Sequence, residues 1–360
     1  MIEQSVFLEQ PTFHWAFLAH LGFNHSADPV RDQNGVPYAC DHTLVPGKNI
    51  FCAEDDLRFD LDLWHSMIKK LAAAGCNLLV LDIGEGFRYE SHPEIACRGA
   101  LSKDALQEEL FNLRMLGIEA VPKLDFSACH DAWMGEMRRM VSTTSYYRFC
   151  ADLIAEICEV FSKPRLFHLG MCAETAENQR GSHPIILRQG EAWWHDLDFF
   201  IRTTMHNGSR PWIWSDAISI DETAYLRRMP RDVVQSVRFA DSTAAALHTC
   251  EVLEGAGYEQ IPAYAPFPGE IVRGELVHGE PVRVEAGDTA SFGQMTAAAK
   301  PVIAPDRLLG YLQTVFRPML PQPSHIRMFE QRIVDLEQAK QNFDADSDPY
   351  TAEADTQKTE

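Results

Sequence analysis

Four carboxylates stand where apolar runs of this 360-residue chain end. Asp82 follows Leu78-Leu79-Val80-Leu81, Asp125 follows Lys123-Leu124, Glu174 comes shortly after Leu166-Phe167-His168-Leu169, and Asp216 closes Trp212-Ile213-Trp214-Ser215. Cleavage of a glycosidic bond needs an acid to protonate the leaving oxygen and a second group, usually a carboxylate, to support positive charge at the anomeric carbon. Strand side chains alternate, so Trp212, Trp214 and Asp216 share a face, as do His168, Cys172 and, in extended chain, Glu174. Indole faces next to carboxylates suit a pyranose. Glu174 is the expected proton donor, with Asp82, Asp125 or Asp216 as base or charge stabiliser. Ligand contacts are expected from Glu85, His130, Asp131 and His168 on the earlier runs. Further contacts are expected from Trp212, Trp214, Gln235, Arg238, Tyr264 and Phe316. Each has a structural reading too: a lone aspartate caps a loop, the tryptophans fill an interior, His168 is a hydrogen-bonded core histidine, and Arg238 pairs with an acid.

The elements that must position these residues repeat. Helical periodicity over 57–74, 102–116, 146–161, 191–206, 222–229 and 244–256 alternates with buried-strand runs, and a last helix is expected near 326–343. With strands at 13–19 and 308–314, eight strands are counted, which predicts a (β/α)8 TIM barrel with its chemistry at the strand C-termini. An open doubly wound sheet is the alternative, but no GxGxxG follows an early strand. Residues 1–343 are expected to form one barrel domain. Alternating residues around Gly269, Gly274 and Gly279 predict a β-hairpin inserted over about 266–286, after strand seven. That insertion either walls the pocket or packs between subunits, which leaves a homo-oligomer open. The tail 344–360, with six acids and one lysine, reads as a disordered acidic segment.

Thirty-two Lys and Arg against 52 Asp and Glu give a net charge of −20, which disfavours nucleic acid as a partner. No apolar stretch approaches the roughly 18 residues of a membrane span, and the first residues lack a signal-peptide pattern, so a cytoplasmic protein is expected. Nine scattered cysteines without CxxC spacing suit reduced thiols. No cofactor and no metal are expected, because close HxH or HExxH spacing is missing. A metal-dependent isomerase or lyase built on His168, Glu174, Asp216 and His130 is the minor alternative.

The run Phe167-His168-Leu169-Gly170-Met171-Cys172-Ala173-Glu174 resembles the fourth-strand motif of the hexosaminidase-type glycoside hydrolases of family 20, where His-x-Gly-x precedes an Asp-Glu pair. Pro122-Lys123-Leu124-Asp125 with His130 is similar to that family's Pro-x-x-Asp segment, and Trp214-Ser215-Asp216 to its Trp-Asp. The stretch from about Leu61 to Phe316 looks most like uncharacterised barrel proteins related to the family, which share Asp82-x-Gly84-Glu85-Gly86, Ser91-His92-Pro93-Glu94 and His130-Asp131-x-Trp133. The resemblance implies a barrel, a carbohydrate ligand, and a mechanism using a general acid and a substrate N-acetyl nucleophile. It also places Cys172 and Ala173 at the Asp-Glu positions, where neither residue type can do a carboxylate's work. A sugar-binding barrel that has lost its acid is therefore the alternative to a hydrolase.

Overall fold

The structure is a computed structural model, described for residues 13–25, 53–175, 185–240, 242–265, 276–277, 280–281 and 291–345. The apolar runs become strands β1 (His14–His20), β2 (Leu78–Asp82), β3 (Glu119–Lys123), β4 (Leu166–His168), β5 (Arg210–Trp214), β6 (Val234–Ser236), β7 (Arg238–Phe239) and β8 (Ala263–Tyr264). The short pieces β9 (Leu276–Val277) and β10 (Glu280–Pro281) follow, then β11 (Gly310–Thr314). Nine strands pair in parallel in the order β6-β5-β4-β3-β2-β1-β11-β8-β7. The expected sixth strand is β6 and β7 in succession, parted at Val237, and the ring closes where Gln235 bridges Gln260. The result is an α/β TIM barrel.

A helix follows each barrel strand, with β6 and β7 taken as one: α1 (Leu61–Ala73), α2 (Lys103–Met115), α3 (Thr144–Val160), α4 (Glu191–His206), α5 (Glu222–Arg228), α6 (Thr243–Gly255), α7 (Phe292–Ala299) and α8 (Pro323–Ala345). Local chemistry sets their starts. The expected cap Ser102 accepts from the Ala105 amide, and Asp60 accepts from Leu63, so α1 begins four residues later than its periodicity suggests. Helix α7 escapes a search for apolar periodicity because it is short, although Ser291 and Gln294 form a reciprocal capping box at its start.

Two apolar layers follow from strand alternation. Leu18, Leu78, Val80, Val121, Leu166, Trp212, Val234 and Leu312 fill the barrel, while Leu79, Leu81, Phe167, Ile213 and Tyr311 face the helices. Both faces of each strand are covered, as parallel sheets require. The antiparallel pair β9–β10 falls within the expected hairpin, whose other residues (266–275, 278–279 and 282–286) lie outside the described residues. Of the expected tail, Asp344 and Ala345 end α8, and 346–360 lie outside the described residues. Among the described residues no helix is long and apolar enough to cross a membrane.

Candidate functional site

Register builds the floor of the site. His20 stands opposite Asp82, Asp82 opposite Lys123, Lys123 opposite His168, and His168 opposite Trp212. Four polar side chains from β1 to β4 thus form one layer above the apolar filling, at the strand C-termini. Lys123 is its hub. Its Nζ donates to Asp82 Oδ2 at 2.5 Å and to Asp125 Oδ2 at 2.9 Å, and His20 Nδ1 lies 3.2 Å from Asp82. Burial would raise both carboxyls, but the Lys123 charge outweighs it, aided by His20 at Asp82 and by His130 at Asp125, and holds both below the usual carboxylate range. Burial penalises the Lys123 ammonium, yet the two aspartates push it above the ordinary lysine value. The expected acids Asp82 and Asp125 do converge, as fixed anions.

Beyond the strand ends, the loops after β3 and β4 are tied together. Ser127 donates its hydroxyl to Asp125 Oδ1 at 2.5 Å and accepts from the Cys172 amide at 2.9 Å. Glu174 accepts from the Ala128 amide at 2.7 Å and the Arg188 amide at 3.0 Å, and pairs with the Arg188 guanidinium. The side chains of Glu174 and Arg188 are only 1% and 3% exposed, and Arg188 reaches on to Asp196 at 2.9 Å. These clamps set Cys129 beside Cys172, with the two Sγ atoms 2.9 Å apart and His130 Nδ1 4.0 Å from Cys172 Sγ. The hydrogen bond from Cys129 and the nearby His130 charge outweigh burial and draw the Cys172 thiol down to about 6. Burial opposes charge on His130, but Cys172 and Asp125 push it up to about 10. The Cys172 thiol and the His130 ring therefore each favour the charged form of the other.

On the other side, Trp214 lies beneath Arg238, whose guanidinium is 5.6 Å from the indole and pairs with Asp216. Arg238 and Asp216 keep 17% and 19% of their side chains exposed, and Phe316 is half-buried 5.9 Å from the His20 ring. His168 is fully buried between Trp212 and Trp214, with ring centroids 5.0 and 4.4 Å away. Burial and the Lys123 charge take it down to about 3, so it stays neutral and accepts from the Gly170 amide.

Several expected contacts sit elsewhere. Gln235 points outward, accepting from Tyr225 of α5, because only its neighbours Val234 and Ser236 are in phase with the interior. Tyr264 also faces the helices, 6.1 Å from Phe292 and beneath Arg332. Trp212 is interior filling, donating to Ser236 Oγ at 2.8 Å, and Trp214 is only 2% exposed, so neither presents a free indole face. Glu85 accepts from the Phe23 and Asn24 amides and is raised by burial, shaping the loop after β1. Asp131 is buried at the start of the turn that follows, and burial raises it to about 7 against Arg138 and Arg188. The metal set His168, Glu174, Asp216 and His130 does not assemble, since the first three are engaged separately. Instead Cys129, His130 and Cys172 bring three ligand atoms within 4.8 Å of one another, as do His20, His25 and Asp82. In the second group Lys123 already neutralises the aspartate.

Lys123, His20, Ser127, Cys129 and Arg188 are site residues that the sequence reading does not single out. Strand parity is a signal for the first two, which are in phase with Val121 and Leu18. A surface groove of about 590 Å³ lined by Gly208, Arg210, Asp232 and Glu259 lies at the opposite rim, where a barrel keeps stability contacts.

The barrel has solved counterparts. A β-N-acetylhexosaminidase from Bacteroides fragilis aligns over 91% of this chain and 65% of its own, with a TM-score of 0.61 and 13% identity. The fold is that of the hexosaminidase-type barrels. A family 20 β-N-acetylglucosaminidase aligns over 91% of this chain and 69% of its own (TM-score 0.57, 12% identity). A catalytic module of a pneumococcal exo-β-D-N-acetylglucosaminidase aligns over 91% and 82% (TM-score 0.54, 10% identity). No protein-family model and no curated protein matches the chain by sequence.

Proposed function

We propose that this protein binds a carbohydrate at the C-terminal mouth of its barrel, and that recognition comes ahead of cleavage. The observation that carries the reading is the Arg238–Asp216 pair, held over Trp214 and still partly exposed. A guanidinium beside a carboxylate offers fixed donors and acceptors to neighbouring hydroxyls, and Phe316 adds an apolar edge. The hexosaminidase names of the solved counterparts support a sugar as the ligand class.

Cleavage by the expected acid fits less well. Both Glu174 oxygens accept from backbone amides and from Arg188, so its carboxylate is engaged on every side and it acts as a positioning residue. Cys172 and Ala173 in place of an acidic pair point the same way. One observation favours a hydrolase: Asp131 keeps a proton up to about 7, as a general acid must. Seven described cysteines are free, which supports a cytoplasmic setting.

The test is equilibrium binding to a panel of neutral and N-acetylated sugars, with turnover of the matching aryl glycosides measured alongside. Saturable binding without turnover, weakened at least ~10-fold in Asp216→Ala, is the expected result. Turnover lost in Asp131→Asn but kept in Glu174→Gln would establish the hydrolase instead. If no sugar binds, both readings fall.

A further inference from the structure

We propose that Cys129, His130 and Cys172 form a binding site for a thiophilic divalent cation, zinc, at the meeting point of the loops after β3 and β4. Two sulfurs and one imidazole nitrogen converge with all ligand atoms within 4.8 Å. This Cys2His set is one that zinc takes with a fourth corner left open. The two cysteines lie 43 positions apart in the chain, yet the loops bearing them are tied independently of the thiols. One tie runs through Ser127, between the Asp125 carboxylate and the Cys172 amide, and the other through Glu174, between the Ala128 amide and Arg188. Such outer partners are what hold metal ligands in place.

The geometry asks for little movement. Zinc–sulfur bonds of ~2.3 Å and zinc–nitrogen bonds of ~2.0 Å in a tetrahedron separate the sulfurs by ~3.8 Å and sulfur from nitrogen by ~3.5 Å. The observed separations are 2.9 Å between the sulfurs and 4.0 Å from Cys172 Sγ to His130 Nδ1. The sulfurs must part by about 0.9 Å and the Cys172 sulfur must approach His130 by about 0.5 Å, shifts of side-chain rather than backbone size. His130 is 31% exposed while the thiols are buried, which provides a path for the ion from solvent. The site is independent of whether the mouth binds a sugar.

The experiment uses the full chain, reduced and stripped of metal, titrated with Zn²⁺ against a chromophoric chelator, then with Co²⁺ under the spectrophotometer. One equivalent of zinc, and a cobalt spectrum with thiolate charge-transfer and intense tetrahedral d–d bands, are the expected results. Cys129→Ser and Cys172→Ser should each weaken zinc binding at least ~100-fold, whereas Cys76→Ser, a buried thiol elsewhere, should leave it unchanged. Circular dichroism confirms that each variant folds. The proposal is overturned if the reduced wild type takes up no stoichiometric zinc, or if cobalt binds without thiolate bands. It is also overturned if the pair is found as a Cys129–Cys172 disulfide that, once reduced, still binds no metal.

Discussion

A Cβ on Gly170 would lie 2.2 Å from Oδ1 of Asp125, and the Gly170 backbone has φ +68°. The loop after β4 therefore carries a residue that leaves room for the carboxylate of the loop after β3. Gly170→Ala carries two costs, the left-handed backbone at ~1–2 kcal/mol and a collision with a side chain already held by Lys123 and Ser127. Gly117 has φ +77° and nothing within 4 Å of where a methyl would stand, so Gly117→Ala carries only the first cost. Urea unfolding should show Gly170→Ala destabilised by ~1–3 kcal/mol more than Gly117→Ala. Equal losses would mean that the Asp125 contact is dispensable.

Lys123→Met leaves Asp82 and Asp125 buried without their cation. Removing one member of a buried charge cluster typically costs ~3–5 kcal/mol. Adding Asp82→Asn and Asp125→Asn to Lys123→Met should recover part of that loss, and chemical denaturation of the single and triple variants measures the recovery. A triple variant less stable than the single one would show that the ion cluster is not what Lys123 stabilises.

Arg188→Ala should destabilise by a similar ~3–5 kcal/mol, because Glu174 and Asp196 lose a shared buried partner. Glu174→Gln keeps the shape and one of the two oxygens that accept backbone amides, while Arg188 still holds Asp196, so its loss should be smaller. If the glutamine variant is the worse of the two, Glu174 has a role that the clamp does not describe.

Acid should destabilise the fold through its buried histidines before Asp82 and Asp125 titrate, opposed by Asp131, which burial raises to about 7. The unfolded chain takes up a proton near the ordinary histidine value of 6.5, whereas folded His168 refuses it down to about 3. Stability is therefore fully present above 6.5 and falls with pH through that window, with a slope approaching ~1.4 kcal/mol per unit for one site. His20 is lowered in the same direction by burial, and adds to the slope. Asp82 and Asp125 contribute in the same sense only below about 3.8, where their unfolded forms begin to protonate. Denaturation midpoints between pH 4 and 7 should drop less steeply in His168→Gln than in wild type. Parallel profiles would mean that His168 accepts a proton without unfolding.

Much of the fold is legible in the sequence because its rules are local. Short continuous apolar runs locate the barrel strands, and caps such as Ser102 mark helix starts. Strand alternation, applied to each residue in turn, turns Gln235 and Tyr264 outward and brings Lys123 and His20 in. Helix α7 escapes because eight residues give too few turns for periodicity, although its capping box is present. Glu174 and the tryptophans stand out as residues, but not what surrounds them: Arg188 fills the carboxylate's valences, and neighbouring side chains cover the indoles.

By itself, then, the sequence determined which residues lie at strand ends and which face of each strand they occupy, since both follow from backbone geometry along one strand. It could not determine which charges meet. Lys123 lies between Asp82 and Asp125, Arg188 on Glu174, and Cys129 against Cys172 through strand register and loop packing, which join residues far apart in the chain. Whether a buried carboxylate holds a proton, a cation or a hydrogen bond depends on that company. Only the tertiary structure therefore decided that Asp82 and Asp125 are anions neutralised by one lysine, and that two thiols and an imidazole share one place.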